Sequence, residues 1–328
     1  MIRENEQNTI SQQSLTTFTY NLLVKLSWLQ RRRYTVWVWR KLVGFCNKNF
    51  EGTVLTTIHG RKVLVNFGYP YPFIARMIAT FNNPLIELIY QRYSAVNKPL
   101  NLIDVGASIG DTILLAYSNC PGMIQNAYCI EGEDGFFRLL QYNLREFKNV
   151  KLFHLMFSSE QGIGKSLVRH HVGTASSTGE GTVATTTLDA LSKMEGIGGV
   201  DILKIDVDGY DGRVLQGAVK FLRKNSADVI FEWHPMLCRK AGNDPHAHFN
   251  VLSKLGYSTF VFFNKLGEFT NFMTGYDEAS IGHLEEYCSA EGASDDWHYD
   301  VVAIHRRSKV RPSSLALAQY ARKKPSPF

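Results

Sequence analysis

The chain has 328 residues, 45% of them hydrophobic, and a net charge of +6. That suffices for a sizeable core and excludes the low-hydrophobicity, high-charge composition of a disordered protein. No apolar run approaches the roughly 20 residues of a membrane-spanning helix, and five scattered cysteines without C-x-x-C spacing argue against a disulfide framework or a zinc site.

Met1 to Thr19 is polar and has no apolar leader core, so the expected location is the cytoplasm, with residues 1–19 disordered. Residues 20–46 read as helical. Between 25 and 48 stand Lys25, Arg31, Arg32, Arg33, Arg40, Lys41 and Lys48 with no acid, interleaved with Trp and Leu. Two readings stay open. Basic residues among Trp and Leu suit a segment lying on an anionic inner membrane face. The same pattern suits a helical pair packed on the domain behind it, or a homo-oligomer contact. No nucleic-acid motif accompanies the charge, and no nucleic-acid partner is expected.

Thr53 to Ile58 and Lys62 to Asn66 flank His59-Gly60 and predict a hairpin. Helices are expected over 73–79 and 84–93, completing an extension from 20 to 99. From residue 100 to 305 strands and helices alternate. Strands are expected at 101–105, 127–131, 150–155, 200–205 and 227–232, with helices at 112–117, 134–146, 187–193 and 211–224. That alternation implies a parallel sheet. A helix at 247–255 follows, then strands at 259–264 and 300–305 as an antiparallel hairpin around a long insert, 265–299. A basic, proline-containing tail occupies 306–328.

The most informative segment is Leu102 to Asp111, L-I-D-V-G-A-S-I-G-D. It reads as a strand, a tight turn through Gly106, Ala107 and Gly110, and a helix start at Asp111. Such a turn brings backbone close to a ligand at a helix N-terminus. A dinucleotide fingerprint needs G-x-G-x-x-G, and Ser108 breaks it. Asp104 at the strand end suits an ammonium, so the turn fits S-adenosylmethionine better than NAD. The next strand ends in Glu131-Gly132, where an acid can hold ribose hydroxyls. A third segment, Val200 to Asp211 continuing to Gly217-Ala218, places Asp206, Asp208 and Asp211 at a strand end, where carboxylates are costly unless they meet a cation, a ligand or water.

D-V-G-A-S-I-G-D, I-E-G at 130–132, T-T-L-D-A-L at 186–191, L-K-I-D-V-D-G-Y-D-G-R-V-L-Q-G-A and I-F-E-W-H-P occur in the order typical of the FkbM-type methyltransferase family, which this chain resembles over about 100–260. Gly132 stands where the family usually has proline, and Asp208 and Asp211 where it usually or often has Glu. The resemblance implies an α/β, Rossmann-like, seven-stranded and mostly parallel sheet of the class I methyltransferase type, here behind an N-terminal helical and hairpin extension. It also implies S-adenosylmethionine as cofactor and methylation of a hydroxyl on a sugar, glycan or glycosylated or secondary metabolite.

The expected cofactor residues are therefore Asp104, Gly106, Ala107, Gly110, Asp111, Glu131 and Gly132. Removing a hydroxyl proton needs a base, and the candidates are Asp206, Asp208 and His234. A pre-proline histidine such as His234 is also a common backbone-bonded loop residue. Asp206, Asp208, Glu232 and His234 equally compose a donor set for a divalent metal. His170 and His171 lie in a Gly/Ser/Thr-rich connector, 162–187, that reads as a lid or a plain linker. A nucleotide-dependent oxidoreductase or epimerase and a non-catalytic S-adenosyl-ligand binder are the competing functions.

Overall fold

Apolar runs separated by turn residues set the frame. The computed structural model describes residues 2–321 apart from 32, 79, 166–167, 172–173, 177–181 and 291–296. Helices α1 (Ile2–Leu26) and α2 (Val36–Asn49) flank a 3₁₀ turn at Ser27–Arg31. They precede the hairpin β1 (Thr53–Ile58) and β2 (Arg61–Asn66), then α3 (Tyr71–Met77) and α4 (Asn83–Val96). The α/β unit begins with β3 (Leu100–Val105), α5 (Asp111–Asn119), β4 (Ile124–Glu131), α6 (Asp134–Leu144) and β5 (Val150–His154).

Short strands follow: β6 (Met156–Phe157), β7 (Gly162–Lys165), β8 (Val168–His171), β9 (Thr174–Ser176) and β10 (Thr182–Thr186). The unit resumes with α7 (Leu188–Met194), β11 (Ile202–Ile205), α8 (Asp211–Gln216), α9 (Val219–Asn225), β12 (Asp228–Trp233), α10 (Pro235–Lys240) and α11 (Ala247–Lys254). Then come β13 (Tyr257–Asn264), β14 (Phe269–Thr274), α12 (Glu278–Ser289), β15 (Tyr299–His305) and α13 (Pro312–Ala321).

The seven expected strands form one sheet in the order β13-β15-β12-β11-β3-β4-β5, and β14 adds an eighth at the β13 edge. Strands β5, β4, β3, β11 and β12 run parallel, whereas β15 runs antiparallel to both β12 and β13. The central strands are buried nearly throughout, as parallel strands covered on both faces must be. One core lies on each side of the sheet. The N-terminal extension is part of the first: Tyr20, Trp39, Val54 and Val65 share it with Ile113, Leu140 and Val261.

Two local expectations change. Composition leaves 1–19 disordered, but the backbone continues α1 back to Ile2. Tyr20, Leu23 and Val24 anchor that helix in the core, and a helix nucleated on a packed turn propagates readily through polar residues. Helical spacing predicts one helix over 211–224, yet it breaks at Gly217-Ala218 into α8 and α9. A Cβ on Gly217 would lie 2.3 Å from the Ser158 carbonyl oxygen, so the chain presses on a neighbouring loop there. The Asp189 carboxylate then caps α9, accepting the N–H groups of Lys220 at 3.0 Å and Phe221 at 2.7 Å. The T-T-L-D-A-L and L-Q-G-A motifs are thus locked to each other.

The connector 162–187 contains β7 and β10, which join β6 in a small three-stranded sheet. The side chains of His170 and His171 lie outside the described residues. The insert 265–299 folds into β14 and α12. In the basic tail, Val310 and Leu315 are buried, and residues 322–328 lie outside the described part.

Candidate functional site

Parallel strands carry their carboxyl ends to one edge of the sheet, where open α/β folds bind ligands. Here a cavity of about 660 Å³ opens at the ends of β3, β4, β11 and β12, within the size range of small-molecule sites. Gly106, Asp111, Glu131, Gly132, Asp206 and Asp208 all line it. So does Glu232.

The first turn is shaped by close approach. Gly106 has φ +81°, and a Cβ there would sit 1.8 Å from the carbonyl oxygen of Asp206. The β3 and β11 loops therefore touch backbone to backbone at this point. Gly110 has φ +89°, and a Cβ there would press on Leu140 and Leu144 of α6 at 3.0 Å. Ala107 is buried beside the turn.

Glu131 is tied into that turn. Its Oε2 accepts the Ser108 N–H at 2.7 Å, and its Oε1 accepts the Glu133 N–H at 2.7 Å. Burial pushes its carboxyl up to about 7, against the pull of these N–H groups. The Gly132 N–H adds a third donor, but a carboxylate offers about four acceptor directions, so a ribose hydroxyl still has a place to donate. Asp111 is likewise pushed up to about 7 by burial, with Lys204 opposing. Tyr69, from the N-terminal extension, places its hydroxyl 3.1 Å from Ser108 Oγ.

Ala107 and Gly110 shape the turn without lining the cavity, and Asp104 and His234 lie elsewhere. Asp104 is fully buried and does not line the cavity. It faces Lys204 instead, with Nζ at 3.1 Å, because the two stand opposite each other on neighbouring strands. His234 is 4% exposed and also lies outside the cavity lining. Its Nδ1 accepts the Leu237 N–H at 3.3 Å and caps α10, the use that the His-Pro pair favours. The donor set Asp206, Asp208, Glu232 and His234 therefore does not assemble. Among the described residues no group of three or more His, Cys, Asp or Glu is disposed to hold a metal ion. Asp211 also turns away: its Oδ2 accepts the Val207 N–H at 3.4 Å and closes the loop.

The cavity also holds residues that the sequence does not single out, although Lys204 stands within L-K-I-D-V-D. Lys204 lines it and reaches Asp206 Oδ2 at 3.3 Å. Burial works against the Lys204 charge, but Asp104 and Asp206 outweigh it and raise its pKa. His298 lines the cavity with Nε2 3.6 Å from Glu232 Oε2, and its Nδ1 has no hydrogen-bond partner. Burial, then the carboxylates of Asp206, Asp208, Asp211 and Asp300, push Glu232 well above the usual range. Asp206 remains 44% exposed toward the cavity. Tyr69, Tyr71 and Phe81 of the extension also line the cavity, as do the apolar Ile130, Phe136 and Phe157.

An apolar slot beside an acid, a glycine turn and a carboxylate-rich end fit the three parts of S-adenosylmethionine: a base, a ribose and an amino-acid end. Glu131 and Gly132 would hold the ribose. Asp111, Lys204 and Asp206 would meet the charged end.

The model of the methyltransferase FkbM domain matches residues 104–259. No curated protein sequence matches the chain. Among solved structures, the chain is similar to methyltransferase FkbM from Methylobacillus flagellatus KT at 12% identity and a TM-score of 0.35, covering 62% of this chain and 43% of that one. It is similar to the O-methyltransferase from Bacillus cereus, solved in complex with SAH, at 10% identity and a TM-score of 0.36 over 68% of this chain and 80% of that one. The fibrillarin pre-rRNA processing protein of Methanococcus jannaschii is similar at 12% identity and a TM-score of 0.37, over 63% and 67%. The unit spanning residues 104–259 of this chain is therefore a methyltransferase domain of the FkbM family.

Proposed function

We propose that the chain is an S-adenosylmethionine-dependent O-methyltransferase acting on a hydroxyl of a sugar, glycan or glycosylated or secondary metabolite in the cytoplasm. One observation carries the reading: the glycine turn, Glu131 and the polar group Asp206, Asp208, Glu232 and His298 share one cavity. When bound, the cofactor supplies an electrophilic methyl group. The chain's own residues hold the acceptor and take its hydroxyl proton. His298 is the favoured proton acceptor, since its imidazole lines the cavity beside the Glu232 carboxyl. Asp208 would accept a hydrogen bond from a further acceptor hydroxyl, and Tyr69, Tyr71 and Phe81 offer flat surface for a sugar ring.

A dinucleotide-dependent oxidoreductase or epimerase fits less well. The Ser108 N–H, which a pyrophosphate would take in that turn, is already held by Glu131. Five free, buried cysteines support a reducing compartment. No helix among the described residues is long and apolar enough to cross a membrane.

A thermal-shift series with S-adenosylmethionine, S-adenosylhomocysteine, NAD and NADP tests the cofactor, because a ligand of the native state raises its stability with concentration. The two S-adenosyl compounds should raise the midpoint, and the dinucleotides should not. Transfer of labelled methyl to a panel of sugars and glycolipids then tests the reaction. Binding without transfer to any hydroxyl acceptor would favour a non-catalytic binder.

A further inference from the structure

Helices α1 and α2 are apolar on two faces, and the fold uses only one. Their inner faces bury Tyr20, Leu23 and Val24 on α1, and Trp39 and Cys46 on α2. On α1, Leu15, Phe18 and Leu22 recur at helical spacing on the outside, with Phe18 65% exposed. On α2, Trp37, Val38, Leu42 and Phe45 do the same, with Trp37 61% and Phe45 63% exposed. Trp28 and Tyr34 in the connection between the helices are also exposed. Single exposed apolar residues need no explanation, but a patch spread over consecutive elements marks an interaction surface.

The tryptophans divide cleanly. Trp39 packs edge-on against Phe73 of α3 at 5.9 Å, whereas Trp37 faces out beneath the Lys41 ammonium, 4.2 Å from its ring centroid. Around this surface stand Lys25, Arg33, Arg40, Lys41 and Lys48, all exposed, and residues 25–48 contain no Asp or Glu.

We infer that the outer faces of α1 and α2 dock on an anionic lipid bilayer surface. The occupant follows from the combination of charge and apolar area. A second copy of the chain would bring like charges together. A nucleic acid would answer the basic residues and leave Trp37 and Phe45 in water. An anionic bilayer takes the apolar side chains into its interface and pairs its headgroups with the basic ones. Helix α3 joins this surface to the cavity. Its Phe73 packs on Tyr20 and Trp39, while Tyr71 and Ile74 line the cavity.

The test is sedimentation of the full chain with vesicles of phosphatidylcholine alone or phosphatidylcholine mixed with phosphatidylglycerol. The protein should pellet with the mixed vesicles at low salt and not with phosphatidylcholine alone, and its tryptophan emission should shift to the blue. Arg40→Ala with Lys41→Ala should weaken apparent affinity about thirtyfold, given the contribution of each basic residue near an anionic surface. Trp37→Ser with Phe45→Ser should remove most of the pelleting and leave the unfolding midpoint unchanged, since both side chains already face water. Intact protein in the supernatant with mixed vesicles at low salt overturns the inference. So does pelleting that is indifferent to the Trp37 and Phe45 changes. A concentration-dependent dimer abolished by Trp37→Ser, with no vesicle binding, would assign the face to a second copy instead.

Discussion

Lys204 and Asp104 face each other across adjacent parallel strands, with Nζ 3.1 Å from Oδ1 and the carboxylate fully buried. Burial raises the Asp104 pKa, and the Lys204 charge pulls it back. The pair forms the floor under the cavity, and the same ammonium reaches up to Asp206 at 3.3 Å. A charged residue within a buried strand is therefore a cross-strand partner that also positions an acid of the site.

Breaking that pair should be costly. Removing one partner of a buried ion pair costs about 3–5 kcal/mol, while replacing both by apolar groups is often neutral or better. Lys204→Met should lower stability in urea unfolding by that order, and Lys204→Met with Asp104→Leu should recover most of it. A single variant as stable as the parent would contradict the floor role.

Glu131 is the test of cofactor placement. Glu131→Ala should weaken S-adenosylhomocysteine binding about 10- to 150-fold, the equivalent of roughly 1.5–3 kcal/mol of charge-assisted hydrogen bonding. Calorimetry measures the affinity. Because Glu131 also holds the Ser108 turn, circular dichroism and a thermal scan must show the variant folded. Undiminished affinity in a folded variant would remove Glu131 from the ribose site.

The two histidines should behave differently. His298→Ala should lower kcat by about 10²- to 10⁴-fold, as loss of a general base does, with S-adenosylhomocysteine affinity nearly unchanged. His234→Ala should cost stability through its lost cap, about 0.5–2 kcal/mol, and leave kcat within a few-fold. An acceptor from the sugar panel provides the assay. The reverse pattern would restore His234 as the base.

Asp111 should make stability depend on pH. Its folded pKa of about 7 lies above the ordinary 3.8. The folded state thus holds the proton more tightly than the unfolded chain. The associated stability is fully present below about pH 4 and is lost as pH rises through about 7. Asp111→Asn should flatten the fall of the unfolding midpoint across that window. An identical pH profile in the variant would show that Asp111 is not held protonated in the fold.

The order of strands and helices was legible from local sequence because parallel strands demand apolar runs and helices demand their own period. The glycine turn was legible for the same kind of reason. Gly106 and Gly110 adopt conformations that L side chains rarely take, so the residue type announces the geometry. Asp206, Asp208 and Glu131 were recognisable as strand-end acids, and all three line the cavity.

What tertiary structure decided was which of the remaining polar groups meet. Asp104 carries the right side chain at a strand end, but the register of β11 gives it to Lys204. His234 sits on the right edge, but its own helix claims the ring. His298 reaches the site because β15 runs antiparallel to β12. Its start lies at the edge where the parallel strands end, so a residue just before it joins their carboxyl ends. The sequence marks Trp37 and Trp39 only as neighbours in a basic helix; packing against Phe73 buries one and leaves the other outside. Local sequence determines conformation through sterics and hydrophobic period, whereas pairing across the sheet depends on register and strand direction, which no local segment contains.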